Sequence, residues 1–278
     1  MANLLQRLGF LVRPLFANAT YTVHWGLAKG LKRKGGLQFI PQITPLRAEE
    51  RFLQSYDFNG KTVYDIGGFE GIFTLFFARA VGPNGKVVTF EPNPANHARI
   101  LENVGMNGFD NVTAVNLALG KDASTARLVF NKNLREAGSL RTEIGEPLLR
   151  SGKETSSIEV MVEPLDRYAK AHGLPLPHFI KIDVEGYEND VLAGMQALIE
   201  RHSPAFFIEN HAFRLPGPAA KTYLEDMVSF FSERGFTITH VEDNSEVTTV
   251  NALSFSNGHF YCVMSRSKTA QNPSPALH

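Results

Sequence analysis

The chain has 278 residues, which is enough for one α/β domain with a large core or for two small domains. Its 28 basic and 28 acidic residues cancel, and the absence of a basic excess argues against an enzyme that acts on nucleic acid. The single cysteine, Cys262, excludes an intrachain disulfide and a cysteine cluster for zinc.

The first 48 residues differ in charge from the rest of the chain. They contain seven basic residues and no acidic one, which leaves 21 basic against 28 acidic residues in the remainder. Apolar residues recur at helical spacing between positions 4 and 16, which predicts an amphipathic helix, and a basic cluster follows at 29–34. We interpret residues 1–48 as a basic N-terminal extension that docks on the protein body or forms a homodimer contact. The alternative is a membrane-surface helix within residues 1–34.

No apolar run approaches the roughly 20 residues that span a bilayer, and the N-terminus lacks the pattern of a secretory signal. We therefore expect a cytoplasmic protein, with peripheral membrane contact as the alternative.

From residue 61 onward, strand and helix patterns alternate, which favours a mostly parallel sheet with helices on both faces. We predict one domain over residues 49–265 and a disordered tail at 266–278. The predicted strands are 63–66, 86–92, 111–117, 126–130, 157–162, 178–184, 204–209, 236–241 and 259–265. The predicted helices are 72–81, 94–106, 164–172, 188–201 and 219–234. Between two of these strands, the long polar segment 132–156 is either a lid over the site or a surface insertion.

A glycine turn joins the first of these strands to its helix. Residues 62–71 spell T-V-Y-D-I-G-G-F-E-G, and such a turn can place free backbone N–H groups against a ligand. The G-G-x-x-G spacing differs from the G-x-G-x-x-G of dinucleotide sites. Asp65 and Glu70 would also repel a pyrophosphate by about 1–4 kcal/mol. The same carboxylates would attract an ammonium and a sulfonium group, so we predict S-adenosylmethionine over NAD.

Polar residues end five predicted parallel strands, where ligands of open α/β sheets bind. These residues are Asp65, Glu91, Asn116, Asp183, Glu185, Glu209 and His211. Glu91 ends the second strand, and an acid in this place accepts hydrogen bonds from the ribose hydroxyls of an adenosine. We therefore predict that these side chains line one crevice.

Four segments carry a family resemblance, namely D-I-G-G-F-E-G (residues 65–71), F-E-P (90–92), N-L-A-L-G (116–120) and I-K-I-D-V-E-G-Y-E (180–188). Together they resemble the FkbM-type methyltransferases, a class I family that depends on S-adenosylmethionine. The resemblance covers about residues 55–215. It implies a Rossmann-like, seven-stranded, mostly parallel sheet with an antiparallel last strand. It also implies methylation of a hydroxyl group on a sugar, glycolipid or polyketide-like molecule.

The resemblance also implies roles for individual residues. Asp65 and the turn glycines Gly67, Gly68 and Gly71 would hold the methionine end of the cofactor, and Glu91 would hold the ribose. The residues expected against adenine are Pro92, Asn93, Ala118 and Leu119. The family turn commonly has D-x-G-A-N-x-G, so Gly68 and Phe69 depart from its pattern.

On the acceptor side, an alcohol must lose a proton to a nearby base. His211 matches neutral pH best as that base, although a structural loop histidine is the alternative. For Asp183 we expect one of three roles: a base, a residue that orients the acceptor, or a partner of the cofactor ammonium. Glu185 is expected to be either a further catalytic residue or a structural one. These residues with Glu209 could also hold Mg²⁺, but their spacing does not demand a metal and we predict none.

Lys181 lies in a buried strand, so we expect a carboxylate partner for it. For the whole protein, the rival interpretations are an NAD-dependent oxidoreductase on a doubly wound sheet and a non-catalytic cofactor-binding protein.

Overall fold

A computed structural model describes residues 18–35, 45–131, 138–150 and 155–265. The predicted helix at 4–16, the tail at 266–278 and parts of segment 132–156 lie outside the described residues. Across the described ranges, no helix has the length and apolar character needed to cross a membrane.

Strands and helices alternate through most of the described chain, as the sequence predicts. The strands are β1 (Thr20–Thr22), β2 (Lys32–Lys34), β3 (Thr62–Ile66), β4 (Lys86–Phe90), β5 (Val112–Val115), β6 (Ala118–Leu119), β7 (Ser124–Asn131), β8 (Thr155–Glu163), β9 (Phe179–Ile182), β10 (Ala205–Glu209), β11 (Phe236–His240), β12 (Ser245–Val247) and β13 (His259–Met264). The helices are α1 (Ala48–Ser55), α2 (Ile72–Ala80), α3 (Pro94–Met106), α4 (Thr142–Arg150), α5 (Leu165–His172), α6 (Glu188–Ala193), α7 (Gln196–Arg201) and α8 (Gly217–Ser232).

The main sheet has the strand order β12-β11-β13-β10-β9-β3-β4-β5. Strands β5, β4, β3, β9 and β10 pair in parallel, and β13 inserts antiparallel between β10 and β11. The predicted Rossmann-like sheet with an antiparallel last strand is therefore confirmed. The short strand β12, which pairs with β11, adds an eighth strand that the sequence did not predict.

The central strands are buried on both faces. Every residue of β3 and β9 is buried, because helices cover both sides of a parallel sheet. On one face, Ile180 and Phe206 pack in a cluster with residues of α8. On the other face, Phe77, Phe179 and Phe207 share a second cluster. This core fixes the carboxyl ends of β3, β4, β9 and β10 along one edge.

A separate three-stranded sheet, in the order β6-β8-β7, stands beside the main one. Strand β5 ends at Val115, and residues 118–119 pair with β8, so the predicted single strand 111–117 is shorter than expected. The predicted strands 126–130 and 157–162 form the antiparallel pair β7–β8. Helix α4 occupies part of the long segment 132–156, where no helix was predicted.

The prediction of one continuous helix over residues 188–201 was wrong, because Gly194 and Met195 separate α6 from α7. A Cβ at Gly194 would lie 2.0 Å from the carbonyl oxygen of Gly120. The Gly194 carbonyl also accepts a hydrogen bond from the Asp166 N–H at 3.0 Å. Tertiary contact with the neighbouring loops therefore interrupts a segment whose side chains are compatible with one helix.

Residues 18–35 of the N-terminal extension pack on the body. Strands β1 and β2 form an antiparallel pair, and Val23, Ala28 and Leu31 share a cluster with residues of α2 and α3. Two members of the basic cluster 29–34 form ion pairs: Arg33 with Glu70 at 2.9 Å and Lys34 with Glu102 at 3.0 Å. These two charges therefore serve the fold of the described extension.

Candidate active site

The glycine turn lies between the ends of β3, β4 and β9. Gly67 and Gly68 both donate their N–H groups to the carbonyl of Phe90, at 2.9 and 3.2 Å. The expectation of free N–H groups at these glycines was therefore wrong. Gly67 has φ +88°, and a Cβ there would lie 1.9 Å from the backbone oxygen of Asp183. The glycine thus permits close contact between the turn and the end of β9, the neighbouring strand in the sheet.

Asp65 is fully buried at the end of β3. Its Oδ2 accepts a hydrogen bond from the Thr74 hydroxyl at 2.6 Å, while Oδ1 has no hydrogen-bond partner among the described residues. Burial raises the pKa of Asp65, and the nearby Lys181 opposes that rise. A buried acceptor atom without a donor fits a ligand that brings its own N–H or O–H group.

Glu70 is not part of the ligand-facing charge that the sequence predicted. Its carboxylate pairs with the buried Arg33 at 2.9 Å, and its backbone carbonyl accepts a hydrogen bond from Asn103 at 2.8 Å. Because Arg33 compensates the charge of Glu70, the acidity of this crevice depends on Asp65 and Glu91.

Glu91 follows β4 and connects the turn with the start of α3. Its Oε2 accepts the Phe69 N–H and its Oε1 accepts the Asn93 N–H, both at 2.9 Å. Burial raises the pKa of Glu91 to about 7, against the lowering effect of these two hydrogen bonds. The carboxylate is thus oriented by the backbone on both of its oxygens.

The residues predicted for the adenine side follow the ends of β4 and β5. Asn93 is the N-cap of α3, with its side chain accepting the Ala95 N–H at 3.0 Å, as predicted. Asn116 donates to the carbonyls of Glu91 and Pro92 at 2.9 and 3.0 Å. The buried Ala118 and Leu119 form β6 beside β8.

Phe69 is held in a left-handed conformation, with φ 49°. Asn tolerates this region better than Phe does, because a short polar side chain can form local hydrogen bonds there. This conformation gives a physical reason for the Asn of the family pattern at this position.

Asp183 and Lys181 lie at the end of β9. Lys181 is buried, and its Nζ lies 3.0 Å from Oδ2 of Asp183 and 4.3 Å from the centre of the Phe73 ring. The predicted carboxylate partner of Lys181 is therefore present. Although burial alone would lower it, the pKa of Lys181 is raised to about 12 by Asp183, Asp65 and Glu209.

His211 follows β10, and one of its ring nitrogens contacts the carboxylate of Glu188. Its Nδ1 lies 2.8 Å from Oε1 of the fully buried Glu188. Glu188 also accepts hydrogen bonds from the Tyr223 hydroxyl at 2.7 Å and from the Gly186 N–H at 3.1 Å. These contacts leave Nε2 as the atom of His211 that faces the crevice.

Three carboxylates surround this Nε2 atom. Oxygens of Glu185, Glu209 and Asp183 lie 3.5, 3.7 and 4.0 Å from it. Burial alone would lower the pKa of His211, but the hydrogen bond to Glu188 and the surrounding carboxylates raise it to about 9. Glu185 is tied by an ion pair to Arg214 and has φ 58°.

Part of segment 132–156 contacts the loop that carries Glu185. The Ser139 hydroxyl donates to the Glu185 carbonyl at 2.7 Å, and Arg141 donates to the Gly186 carbonyl at 3.3 Å. The described residues of this segment thus pack against the loop that follows β9.

Several residues of the site were missed by the sequence analysis. His259 at the start of β13 places Nε2 3.8 Å from both Glu209 and Glu49, and its Nδ1 lies 2.6 Å from Glu242. No local sequence pattern predicts these contacts, because they join elements that are far apart in the chain. Glu188, by contrast, belongs to the K-I-D-V-E-G-Y-E segment, although its role in holding His211 was not predicted.

The predicted site residues thus form two groups. Asp65, Glu91 and the turn glycines lie at the ends of β3 and β4, and Asp183, Glu185, Glu209 and His211 lie at the ends of β9 and β10. Gly67 touches Asp183 and joins the two groups.

Comparison with known proteins adds a family to this geometry. Residues 64–238 match the family model described as the methyltransferase FkbM domain. "Methyltransferase 1" of Beauveria bassiana is 28% identical over 144 residues, which cover 48% of this chain and 57% of that protein. "Methyltransferase sdnD" of Sordaria araneosa is 27% identical over 155 residues, covering 48% of this chain and 60% of that protein. The matches thus span about three-fifths of the length of these relatives.

Among solved structures, the chain is similar to the methyltransferase FkbM from Methylobacillus flagellatus KT. The identity is 18%, the TM-score is 0.47, and the match covers 75% of this chain and 45% of that one. The family match includes the end of β3, the glycine turn, Glu91, Asp183, Glu188 and His211. The chain belongs to the FkbM methyltransferase family.

Proposed function

We propose that this protein is an S-adenosylmethionine-dependent O-methyltransferase that acts on a hydroxyl group of a small sugar, glycolipid or polyketide-like molecule. The observation that carries the proposal is the pairing of two groups at one sheet edge. An oriented carboxylate, Glu91, lies on one side, and Asp183 and His211 lie on the other. The first group suits an adenosine, and the second suits an oxygen that must be oriented and deprotonated.

The donor atoms on the cofactor side fit S-adenosylmethionine. The buried Oδ1 of Asp65 lacks a donor among the described residues, and an ammonium group would supply one. Glu91 would accept the ribose hydroxyls, with Gly67, Gly68 and Gly71 leaving room for the methionine end. Around adenine we place Pro92, Asn93, Ala118 and Leu119.

S-adenosylmethionine supplies a methyl group bonded to a positively charged sulfur. The chain itself must orient the acceptor oxygen, remove its proton and exclude water. Because its raised pKa gives His211 a proton at neutral pH, we assign His211 the orientation of the acceptor oxygen. We assign proton removal to Asp183, whose Oδ1 faces His211, and the shaping of the pocket to Glu185, which is fixed by Arg214.

Segment 132–156 is proposed as a lid on the acceptor side. Its described part already contacts residues 185–186 through Ser139 and Arg141. A shortened segment should raise the KM of the acceptor or abolish turnover while cofactor binding persists. Unchanged turnover would reject the lid.

For the extension at residues 1–48, we propose a docking role that continues the packing of residues 18–35 on the body. Residues 1–17 would complete this contact or pair two copies as a homodimer. Pelleting with anionic vesicles at low salt tests the membrane alternative, and sedimentation tests the dimer.

The function is tested by incubating the full chain with S-adenosylmethionine and a panel of sugars, glycosides, glycolipids and polyketide-like alcohols. We expect release of S-adenosylhomocysteine that requires an acceptor, with a product that gains one methyl group. The product should resist mild alkali, because a methyl ether is stable where a methyl ester hydrolyses. Cofactor binding without turnover on any acceptor would favour a binding protein, and preferential binding of NAD would favour the oxidoreductase.

A further inference from the structure

We propose that Asp183, Glu209 and His211 form a binding site for one divalent cation, which would displace the proton from Nε2 of His211 and hold the acceptor oxygen in place of that N–H group. The inference deepens the proposed function, but cation binding itself requires neither an acceptor nor methyl transfer. One ligand atom from each of the three side chains lies within 4.8 Å of the other two. A small inward movement of the side chains would bring all three atoms to the coordinate bonds of about 2.0–2.2 Å that a single ion forms.

In each of the three side chains, one polar atom lies beside an ionisable neighbour and the other faces a common point. Lys181 lies 3.0 Å from Oδ2 of Asp183, and Oδ1 faces the centre. His259 lies 3.8 Å from Oε2 of Glu209, which leaves Oε1 toward the centre.

The histidine follows the same rule and gives the most specific evidence. Its side chain is 3% exposed, and Glu188 fixes Nδ1 at 2.8 Å. The oxygen nearest to its Nε2 is Oε2 of Glu185, at 3.5 Å, and that oxygen pairs with Arg214. The inner oxygens of Glu209 and Asp183 lie 3.7 and 4.0 Å from Nε2, distances longer than hydrogen bonds. A histidine held on one nitrogen by a carboxylate, with the other nitrogen directed at oxygen ligands, has the outer support that metal-binding histidines require.

Glu185 is not included among the ligands, because its carboxylate is engaged by Arg214. The side chains of Asp183 and Glu209 are 21% and 35% exposed. An ion and an acceptor hydroxyl could therefore both reach the centre from the crevice. The nitrogen ligand favours a first-row transition ion over Mg²⁺ or Ca²⁺, which prefer oxygen alone. Among first-row ions, Mn²⁺ is the one that also suits carboxylate ligands.

The test is a titration of the chelator-treated full chain with Mn²⁺, with free ion followed by electron paramagnetic resonance. We expect one tight site per chain. Glu209→Gln and Asp183→Asn should each weaken it at least tenfold. Glu188→Gln should weaken it by about 10–100-fold, because His211 would lose its orienting partner. The exposed Glu246 provides a matched control, and Glu246→Gln should bind Mn²⁺ like the wild type.

Titration with S-adenosylmethionine verifies that each variant is folded. If one fails this test, the remaining variants decide the question. Mn²⁺ binding by the wild type that is no stronger than binding by the folded Glu209→Gln or Asp183→Asn variant would overturn the proposal. That result would leave the methyltransferase proposal intact, whereas tight Mn²⁺ binding without any turnover would refute the methyltransferase proposal and keep the cation site.

Discussion

The two halves of the crevice satisfy their polar groups in different ways. On the cofactor side, the Glu91 oxygens accept backbone N–H groups of the turn and of α3, so a few neighbouring segments orient this carboxylate. On the acceptor side, His211 Nε2 and the carboxylates of Asp183 and Glu209 face one another beyond hydrogen-bond distance. The contrast indicates one half whose carboxylate is oriented by the backbone, beside a half whose polar side chains face one another without hydrogen bonds.

The largest expected effect is at Gly67, where the two halves touch. Gly67→Ala should lower the free energy of unfolding by about 3–5 kcal/mol, because it combines a left-handed backbone with a clash against Asp183. Gly30 has φ +86° but no atom within 4 Å of an added Cβ, so Gly30→Ala should cost only about 1–2 kcal/mol. Urea unfolding of both variants gives the difference, and equal losses would contradict the close contact.

The next largest effect is expected on cofactor affinity, from a substitution in the cofactor half alone. Glu91→Ala should weaken binding of S-adenosylmethionine by about 2–4 kcal/mol, because charge-assisted hydrogen bonds are lost. Calorimetric titration measures this change. Glu102→Ala removes a half-exposed carboxylate that pairs with Lys34 and should leave the affinity unchanged. A wild-type affinity in Glu91→Ala would reject the ribose assignment.

The pH dependence of cofactor affinity sharpens the same assignment. The pKa of Glu91 is about 7 in the folded chain, so the carboxylate is mostly protonated at pH 6 and mostly ionised at pH 8. Because the ionised form is the better acceptor for ribose hydroxyls, affinity should rise about tenfold between these values. Glu91→Gln should remove most of this rise. The same slope in wild type and variant would show that another group titrates.

The raised pKa of Glu91 also affects stability without the cofactor. The folded chain keeps a proton on Glu91 that the unfolded chain releases near the ordinary value of 4.5. The contribution of Glu91 to the free energy of unfolding is therefore most favourable below about pH 4.5 and is lost as pH rises through about 7. The stability difference between wild type and Glu91→Gln should follow this direction in urea unfolding.

The smallest expected effect comes from a substitution in the acceptor half that should leave the cofactor half unchanged. Ser139→Ala removes the hydroxyl that donates a hydrogen bond to the carbonyl of Glu185. Loss of this hydrogen bond should destabilise the loop at Glu185 by about 0.5–1.5 kcal/mol. We expect the acceptor KM to rise several-fold with no change in cofactor affinity. The exposed Ser124 on β7 offers a control, since Ser124→Ala should change neither value. A loss of cofactor affinity in Ser139→Ala would show that the two halves are coupled.

The same contrast explains what the sequence could predict. The strand–glycine turn–helix, Glu91 and the Asn93 cap follow from local patterns, and the parallel sheet follows from the alternation of strands and helices. The arrangement around His211 depends on Tyr223 and His259, which only the folded sheet brings near it.

Local patterns also misled at particular places. Glu70 lies inside the turn and looked ligand-facing, but Arg33 from the N-terminal extension compensates its charge. The sequence of segment 188–201 is compatible with one helix, yet contact of Gly194 with Gly120 divides it into two. Both errors arise from contacts between segments that are distant in the chain.

The most direct test of the division into two halves is a calorimetric titration of S-adenosylmethionine into wild type, Glu91→Ala and His211→Gln. We predict that Glu91→Ala loses at least thirtyfold in affinity, the lower limit of about 2 kcal/mol, whereas His211→Gln stays within about twofold of wild type. An equal loss in both variants, or a loss in His211→Gln alone, would contradict the account.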